Sequence, residues 1–185
     1  MKKLFFAAAA VLAFGVTNAQ EVKFGAKAGL NLSTLTGDDD TSMKVGFQVG
    51  GFAEIGISDK FAIQPELLYS AQGTKYDGAG DPSLNLDYLN IPVMAKYYVT
   101  EGFSLEAGPQ IGFLLSAKAK SDGGDVDFKD YVNSTDFGLN VGAGYDVTEN
   151  INLGLRYGFG LSDVNKEGDD SIKNSNFAFA VAYKF

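Results

Sequence analysis

Ser175-Asn176-Phe177-Ala178-Phe179-Ala180-Val181-Ala182-Tyr183-Lys184-Phe185 carries a bulky apolar side chain at every second position. Small or polar residues fill the places between. A period of two belongs to a β-strand, whose side chains point alternately to opposite faces. One face of this strand is large and apolar up to the terminal carboxylate. A final strand of that kind suits a closed sheet, where the last strand must seal against the first.

The same alternation recurs upstream. Val22 to Leu32 sets Val22, Phe24, Ala26, Ala28, Leu30 and Leu32 against Lys23, Gly25, Lys27, Gly29 and Asn31. It resumes from Val45 to Ile57, with Phe52 the exception on an otherwise small or polar face. Phe61 to Ser70 forms a third strand, in which Pro65 lacks the N–H that a ladder needs, so a local bulge is expected there. Tyr88 to Val99, Phe103 to Ser116, Asp136 to Val147 and Ile151 to Ser162 complete the series before the terminal strand.

That makes eight strands, joined alternately by long polar stretches and by tight turns such as Ser58-Asp59-Lys60, Thr100-Glu101-Gly102 and Thr148-Glu149-Asn150. The long connections fall at 33–42, 73–83, 118–130 and 165–174. An even number of antiparallel strands with short turns at one end and long loops at the other is the plan of an outer-membrane barrel. The expected fold is all-β: an eight-stranded antiparallel up-and-down transmembrane β-barrel with both termini periplasmic.

Alternation alone leaves two arrangements open. A soluble barrel of the lipocalin type would turn its apolar face inward to hold a ligand. Three features favour the apolar face outward. One face is Leu, Ile, Val, Phe and Tyr throughout, too large for the interior of eight strands, whereas the other is mostly Gly, Ala, Asn and Gln. The small face also carries both signs of charge: Lys23, Lys27, Lys44, Lys96, Arg156 and Lys184 with Glu54, Glu66, Glu106, Asp136 and Asp146. Such groups can pair inside a barrel and so escape the cost of isolated buried charge. Finally, Phe24, Phe61, Tyr97, Phe103, Tyr145, Tyr183 and Phe185 gather towards the periplasmic rim, as an interfacial belt requires.

Met1-Lys2-Lys3, an apolar run from Leu4 to Val16 and Thr17-Asn18-Ala19 follow the basic, apolar, small order of a secretory signal. Residues 1–19 are expected to be cleaved, leaving 20–185 as the barrel domain. The chain has no cysteine and no histidine, which removes disulfides, thiolate chemistry and the commonest metal ligand and general base. A net charge of −8, about two units more negative without Lys2 and Lys3, argues against nucleic acid.

The segments Phe24-Gly25-Ala26-Lys27-Ala28-Gly29-Leu30-Asn31, Pro65-Glu66-Leu67-Leu68-Tyr69-Ser70 and Tyr88-Leu89-Asn90-Ile91-Pro92-Val93-Met94-Ala95-Lys96-Tyr97-Tyr98, with the terminal Tyr183-Lys184-Phe185, resemble the outer membrane protein beta-barrel domain family. That family is common in Bacteroidetes, includes PorT-like proteins, and is similar to small barrels of the OmpX and OmpA type. The resemblance implies insertion by the barrel-assembly machinery, with Phe185 as its recognition signal. It implies no shared catalytic residues, and relatives serve in adhesion, secretion-system assembly and structural roles.

No enzymatic activity is expected, since a Ser–His arrangement is impossible without histidine. No cofactor and no metal site are expected either. Asp38-Asp39-Asp40 and Asp122-Gly123-Gly124-Asp125-Val126-Asp127 offer oxygen ligands but no calcium-loop spacing, and read as solvated loop acids. The ten interior charges Lys23, Lys27, Lys44, Glu54, Glu66, Lys96, Glu106, Asp136, Arg156 and Lys184 form the candidate site. Packed as a network, with Arg156 paired to Glu66 or Glu106, they plug the lumen. As a lining, aided by inward glycines, they make a narrow solute or ion channel. The expected role is structural or loop-mediated, with channel, surface adhesin and soluble periplasmic carrier as alternatives. Expected surroundings are outer-membrane lipid and lipopolysaccharide, a monomeric state, and an unidentified extracellular partner at the acidic loops.

Overall fold

The computed structural model describes residues 21–37, 41–76, 82–121, 124–166 and 171–185. The leader at 1–19, Asp38-Asp39-Asp40, and Asp122 with Gly123 lie outside the described residues. Within those residues nine strands follow in chain order: β1 (Val22–Thr36), β2 (Thr41–Ser58), β3 (Phe61–Tyr76), β4 (Ser83–Tyr98), β5 (Phe103–Ser121), β6 (Gly124–Asp127), β7 (Thr135–Asp146), β8 (Ile151–Gly160) and β9 (Lys173–Lys184). A 3₁₀ turn, Lys129–Tyr131, precedes β7.

Eight of these strands close into a ring in the order β4-β3-β2-β1-β9-β8-β7-β5, with β4 pairing back onto β5. Every neighbouring pair is antiparallel. The terminal strand seals the ring: Leu30 lies opposite Phe179 and Leu32 opposite Phe177 on the β1–β9 ladder. Beyond it, the Phe185 N–H donates to the Phe24 carbonyl at 2.8 Å. The short β6 adds only to the outer end of β5.

The bulky face points outward. Leu30, Phe47, Leu67, Leu105, Phe137, Leu155 and Phe179 are all about half exposed, an arrangement that water would penalise and a bilayer rewards. The periplasmic aromatics line one edge of this band, with Phe61 and Tyr97 rings 5.1 Å apart. A second aromatic edge includes Phe47 with Tyr69 at 5.6 Å and Tyr157 with Phe177 at 4.5 Å. From Phe61 to Tyr69 along β3 the chain rises about 27 Å, or about 20 Å along the normal at a tilt of about 40°, which fits the hydrocarbon thickness a barrel spans.

Several strands run past their sequence-based ends. β2 begins at Thr41 rather than Val45, β3 extends to Tyr76, β4 begins at Ser83, and β5 extends to Ser121. Outside the bilayer both sheet faces meet water, so hydrophobic alternation fades while the backbone ladder continues. Pro65 also differs from expectation. The β2–β3 register keeps one offset from Phe52↔Glu66 to Ile55↔Ile63, so no residue is inserted there. The two intervening pairs are simply missing, as a rung lost with the proline N–H requires. Pro92 and Pro109 do the same on the β3–β4 and β4–β5 ladders, so each seam loses one rung and none loses two. The irregularities lie elsewhere, between Met43 and Gln48, between Gly56 and Ser58, and between Asp87 and Tyr88.

Phe52 turns inward and is 6% exposed. Gly25 faces it across the β1–β2 ladder, and a Cβ on Gly25 would lie 2.3 Å from the ring. Lys27 stands 5.7 Å above the same ring. The missing side chain on β1 is what admits the one aromatic on this part of the inner face.

Candidate functional site

The interior is layered from one end to the other. At the periplasmic mouth lies an open vestibule bordered by Glu21, Lys23, Asp59, Glu101 and Glu149. Lys23 pairs there with Glu21 at 3.3 Å and stays 40% exposed in its side chain, so it stands outside the packed network.

Above the vestibule, each of the eight ring strands contributes one charge to a network: Lys27 from β1, Glu54 from β2, Glu66 from β3, Lys96 from β4, Glu106 from β5, Arg156 from β8 and Lys184 from β9 are buried, and Asp146 from β7 is partly exposed. Four cations meet four carboxylates, so the set is formally neutral. The lower half joins Lys96 to Glu54 at 2.6 Å, Lys184 to Glu54 at 3.3 Å and Lys184 to Asp146 at 3.1 Å. Tyr98 adds its hydroxyl to Glu54 at 2.9 Å.

The upper half centres on Glu66, whose side chain is fully buried. Arg156 grips it with Nη1 to Oε2 and Nη2 to Oε1, both at 3.0 Å. The same guanidinium donates from Nε and Nη2 to Glu106 Oε1 at 3.0 and 2.9 Å. Lys27 Nζ reaches Glu66 Oε1 at 2.6 Å. Gln64 couples the halves, donating to Glu66 at 2.6 Å and accepting from Lys96 at 3.2 Å. A planar guanidinium is the group suited to such forked bonding, and the donors gathered on Glu66 replace the water its carboxylate has lost.

Besides Lys23, two more predicted members stand apart from this set. Lys44, half-buried, donates to the Gln72 carbonyl at 2.8 Å. Asp136 is buried further out and accepts from Ser162 Oγ at 3.1 Å. Asp146 and Tyr98 belong to the network although no charge pattern singles out a tyrosine.

Outward of Arg156 is a small chamber of about 30 Å³, walled largely by glutamine, asparagine and glycine. Above that the lumen is closed by an apolar stopper: Leu35, Leu86, Tyr88, Leu114, Ala117, Val132 and Val164, with Leu84, Phe128 and Ile172 against it. Val132 and Val164 come from the connections around β7 and β9, and a bridge between Val132 and Asn165 ties those connections together. No alternation in the sequence signals this stopper. The β5 bulge opposite Asp87/Tyr88 moves Ala117 to the inner face in place of Ser116.

Among the described residues no group of three or more His, Cys, Asp or Glu side chains is placed to hold a metal, and no helix is long and apolar enough to cross a membrane.

The profile of a family described as "Outer membrane protein beta-barrel domain" matches residues 18–166. No curated protein matches the chain. Among solved structures, Neisserial surface protein A is similar at 19% identity and a TM-score of 0.57, covering 91% of this chain and 100% of that one. Ail, the attachment invasion locus protein of Yersinia pestis, shows 15% identity and a TM-score of 0.56 over 89% of this chain and 99% of its own. A major outer membrane protein of Thermus thermophilus shows 14% identity and a TM-score of 0.52, with 89% and 99% covered. At these identities the likeness is one of fold.

Proposed function

The chain belongs to the outer membrane protein beta-barrel domain family, and from that premise we propose that it is a closed, non-conducting barrel serving the outer membrane structurally or through its outer loops. It resides in the outer membrane with both termini on the periplasmic side.

One observation carries the proposal: eight paired charges, one per strand, fill the cross-section, and an apolar stopper covers the outer end. A conducting lumen needs a continuous wet path, whereas here paired side chains occupy the axis and an apolar stopper closes the end beyond the polar chamber. The role is non-enzymatic, because the acids of the network are bound up in ion pairs and no histidine is available as a base.

Lipid and lipopolysaccharide surround the outward face, and the barrel-assembly machinery engages the terminal strand through Phe185, which is 78% exposed. The three segments quoted above align it, on our reading, with the PorT-like branch. Ail is named for attachment and invasion, and the strands of this chain that outrun the aromatic band give its loops a similar platform for an extracellular partner.

Conductance in planar bilayers tests the closed lumen. The refolded protein is expected to give no discrete current steps. Combined Glu66→Ala, Glu106→Ala and Arg156→Ala with Leu86→Ala, which opens both barriers, is expected to give them. Regular steps from the unaltered protein would overturn the proposal.

A further inference from the structure

Asp136 is the buried interior carboxylate that has no cation beside it. The acids of the network all pair with lysine or arginine, yet among the described residues no such group lies within 4 Å of Asp136. It is 9% exposed and borders the chamber between Arg156 and the stopper. Its hydrogen bonds come from the neutral side chains of Ser162 and Asn174. Arg156 makes its ion pairs with Glu66 and Glu106, which take four of its five N–H donors.

The rest of the chamber wall is rich in oxygen acceptors. Asn176 Oδ1 is buried and has no hydrogen-bond partner among the described residues. Two further amide oxygens project over glycines. At Gly112, directly opposite Asp136 on the β5–β7 ladder, a Cβ would lie 2.6 Å from Asn90 Oδ1 and 3.6 Å from the Asp136 Cβ. At Gly158 a Cβ would lie 2.6 Å from Asn140 Oδ1. Each glycine, lacking a side chain, thus lets an amide oxygen lie close against its backbone.

We propose that this chamber is a binding site for a small hard cation, held by the Asp136 carboxylate with the Asn90 amide oxygen beside it. The chemistry follows from the donor set. Carboxylate and amide oxygens without nitrogen or sulfur select sodium, potassium or calcium over transition metals. An unpaired carboxylate away from bulk water is costly, and a cation in the adjoining space removes that cost. Gly112, between the two on the ladder, is what lets the Asn90 oxygen lie on the Asp136 side of the wall. The site lies outside the ion-pair network, so its failure would leave the closed lumen untouched.

The test uses the refolded full barrel in neutral detergent. Its heat-induced mobility shift is recorded in sodium, potassium or calcium chloride and in choline chloride at equal ionic strength. Choline is too large for the chamber and serves as the inert cation. One of the small cations is expected to raise the transition by on the order of 5 °C at a hundredfold excess over its dissociation constant. Asp136→Asn is expected to abolish that difference. Gly112→Ala, whose methyl displaces the Asn90 oxygen and retains the carboxylate, is expected to abolish it too, and it keeps the test open if the first variant does not fold. Identical transitions in choline and in all three small cations would mean a chamber holding water only, and would overturn the proposal. Retention of the cation effect in Asp136→Asn or Gly112→Ala would place the ion on the loops instead and overturn it equally.

Discussion

Glu66 and Arg156 stand on β3 and β8, four places apart around a ring of eight strands, yet their side chains meet in two parallel hydrogen bonds of 3.0 Å. The contact therefore spans the full width of the lumen. Two opposed walls are tied at their centre, and the tie is anchored sideways by Glu106 and Lys27. At this depth most large apolar groups face lipid, and only a few, Phe52, Leu68 and Met94 among them, turn inward. The ion network does inside this membrane protein what packed hydrocarbon does inside a soluble one.

Breaking that tie on one side is expected to be severe. Glu66→Ala leaves Arg156 and Lys27 with Glu106 as their remaining nearby acid. Loss of one partner from a buried pair typically costs about 3–5 kcal/mol. Urea unfolding of the lipid-refolded barrel should show a decrease of that order. Replacing Glu66 and Arg156 together by methionine should cost markedly less, since no uncompensated charge is left behind. Equal losses from the single and the double replacement would show that volume, and not charge, sets the effect.

Gly25 is expected to resist enlargement. A Cβ there would meet the Phe52 ring at 2.3 Å and the Tyr183 carbonyl oxygen at 2.5 Å. The ring can turn aside, but the carbonyl belongs to the β9 backbone and cannot. Gly25→Val should lower stability by about 1–3 kcal/mol, the usual range for overpacking. Adding Phe52→Ala should recover only part of the loss, as read by the same unfolding curves. Full recovery would mean that the ring alone makes the contact.

Much of this was legible because a strand has a period of two. The alternation in Ser175–Phe185 assigns Phe179 to lipid and Ala180 to the lumen with no knowledge of the neighbours, and both are so placed. The contrast between large and small faces likewise settles which side is out, because eight strands cannot enclose the large one. Partner choice inside the lumen is another matter. Whether Arg156 meets Glu66 from across the ring depends on stagger between strands, which no single strand encodes. The outer stopper was hidden for a related reason. Val132 and Val164 come from segments where alternation has lapsed, Leu84, Leu86 and Tyr88 alternate on the face that is small and polar lower down, and a bulge rather than a pattern brings Ala117 inward.

Pro65 offers a test of how the ladder handles its gaps. The β2–β3 offset is the same on either side of it, which puts Ala53 opposite the proline. Pro65→Val would return an N–H to that position without moving the register. The expected gain is about 1 kcal/mol, one net hydrogen bond. Amide exchange should show a newly protected amide at the substituted position and unchanged protection at Phe52 and Ile55. Altered protection along the rest of β3 would instead mean that the proline sets the register.

The lipid-facing surface can be measured for depth with two positions on one strand. Phe179 and Tyr183 of β9 are both about half exposed and point the same way. Phe179 lies between Leu30 of β1 and Leu155 of β8, in the middle of the apolar band. Tyr183 lies beside Ile151 at the periplasmic edge, against the Phe185 ring at 5.7 Å. Arginine at mid-membrane costs about 2–4 kcal/mol, and near an interface about 0–1 kcal/mol, because its long side chain reaches water from there. Phe179→Arg should therefore destabilise the bilayer-refolded barrel by roughly 2 kcal/mol more than Tyr183→Arg. In short-chain detergent micelles, which offer no slab of fixed thickness, the two variants should converge. A larger loss at Tyr183 than at Phe179 in bilayers would show that the hydrocarbon slab is centred lower on the barrel than the two aromatic edges indicate.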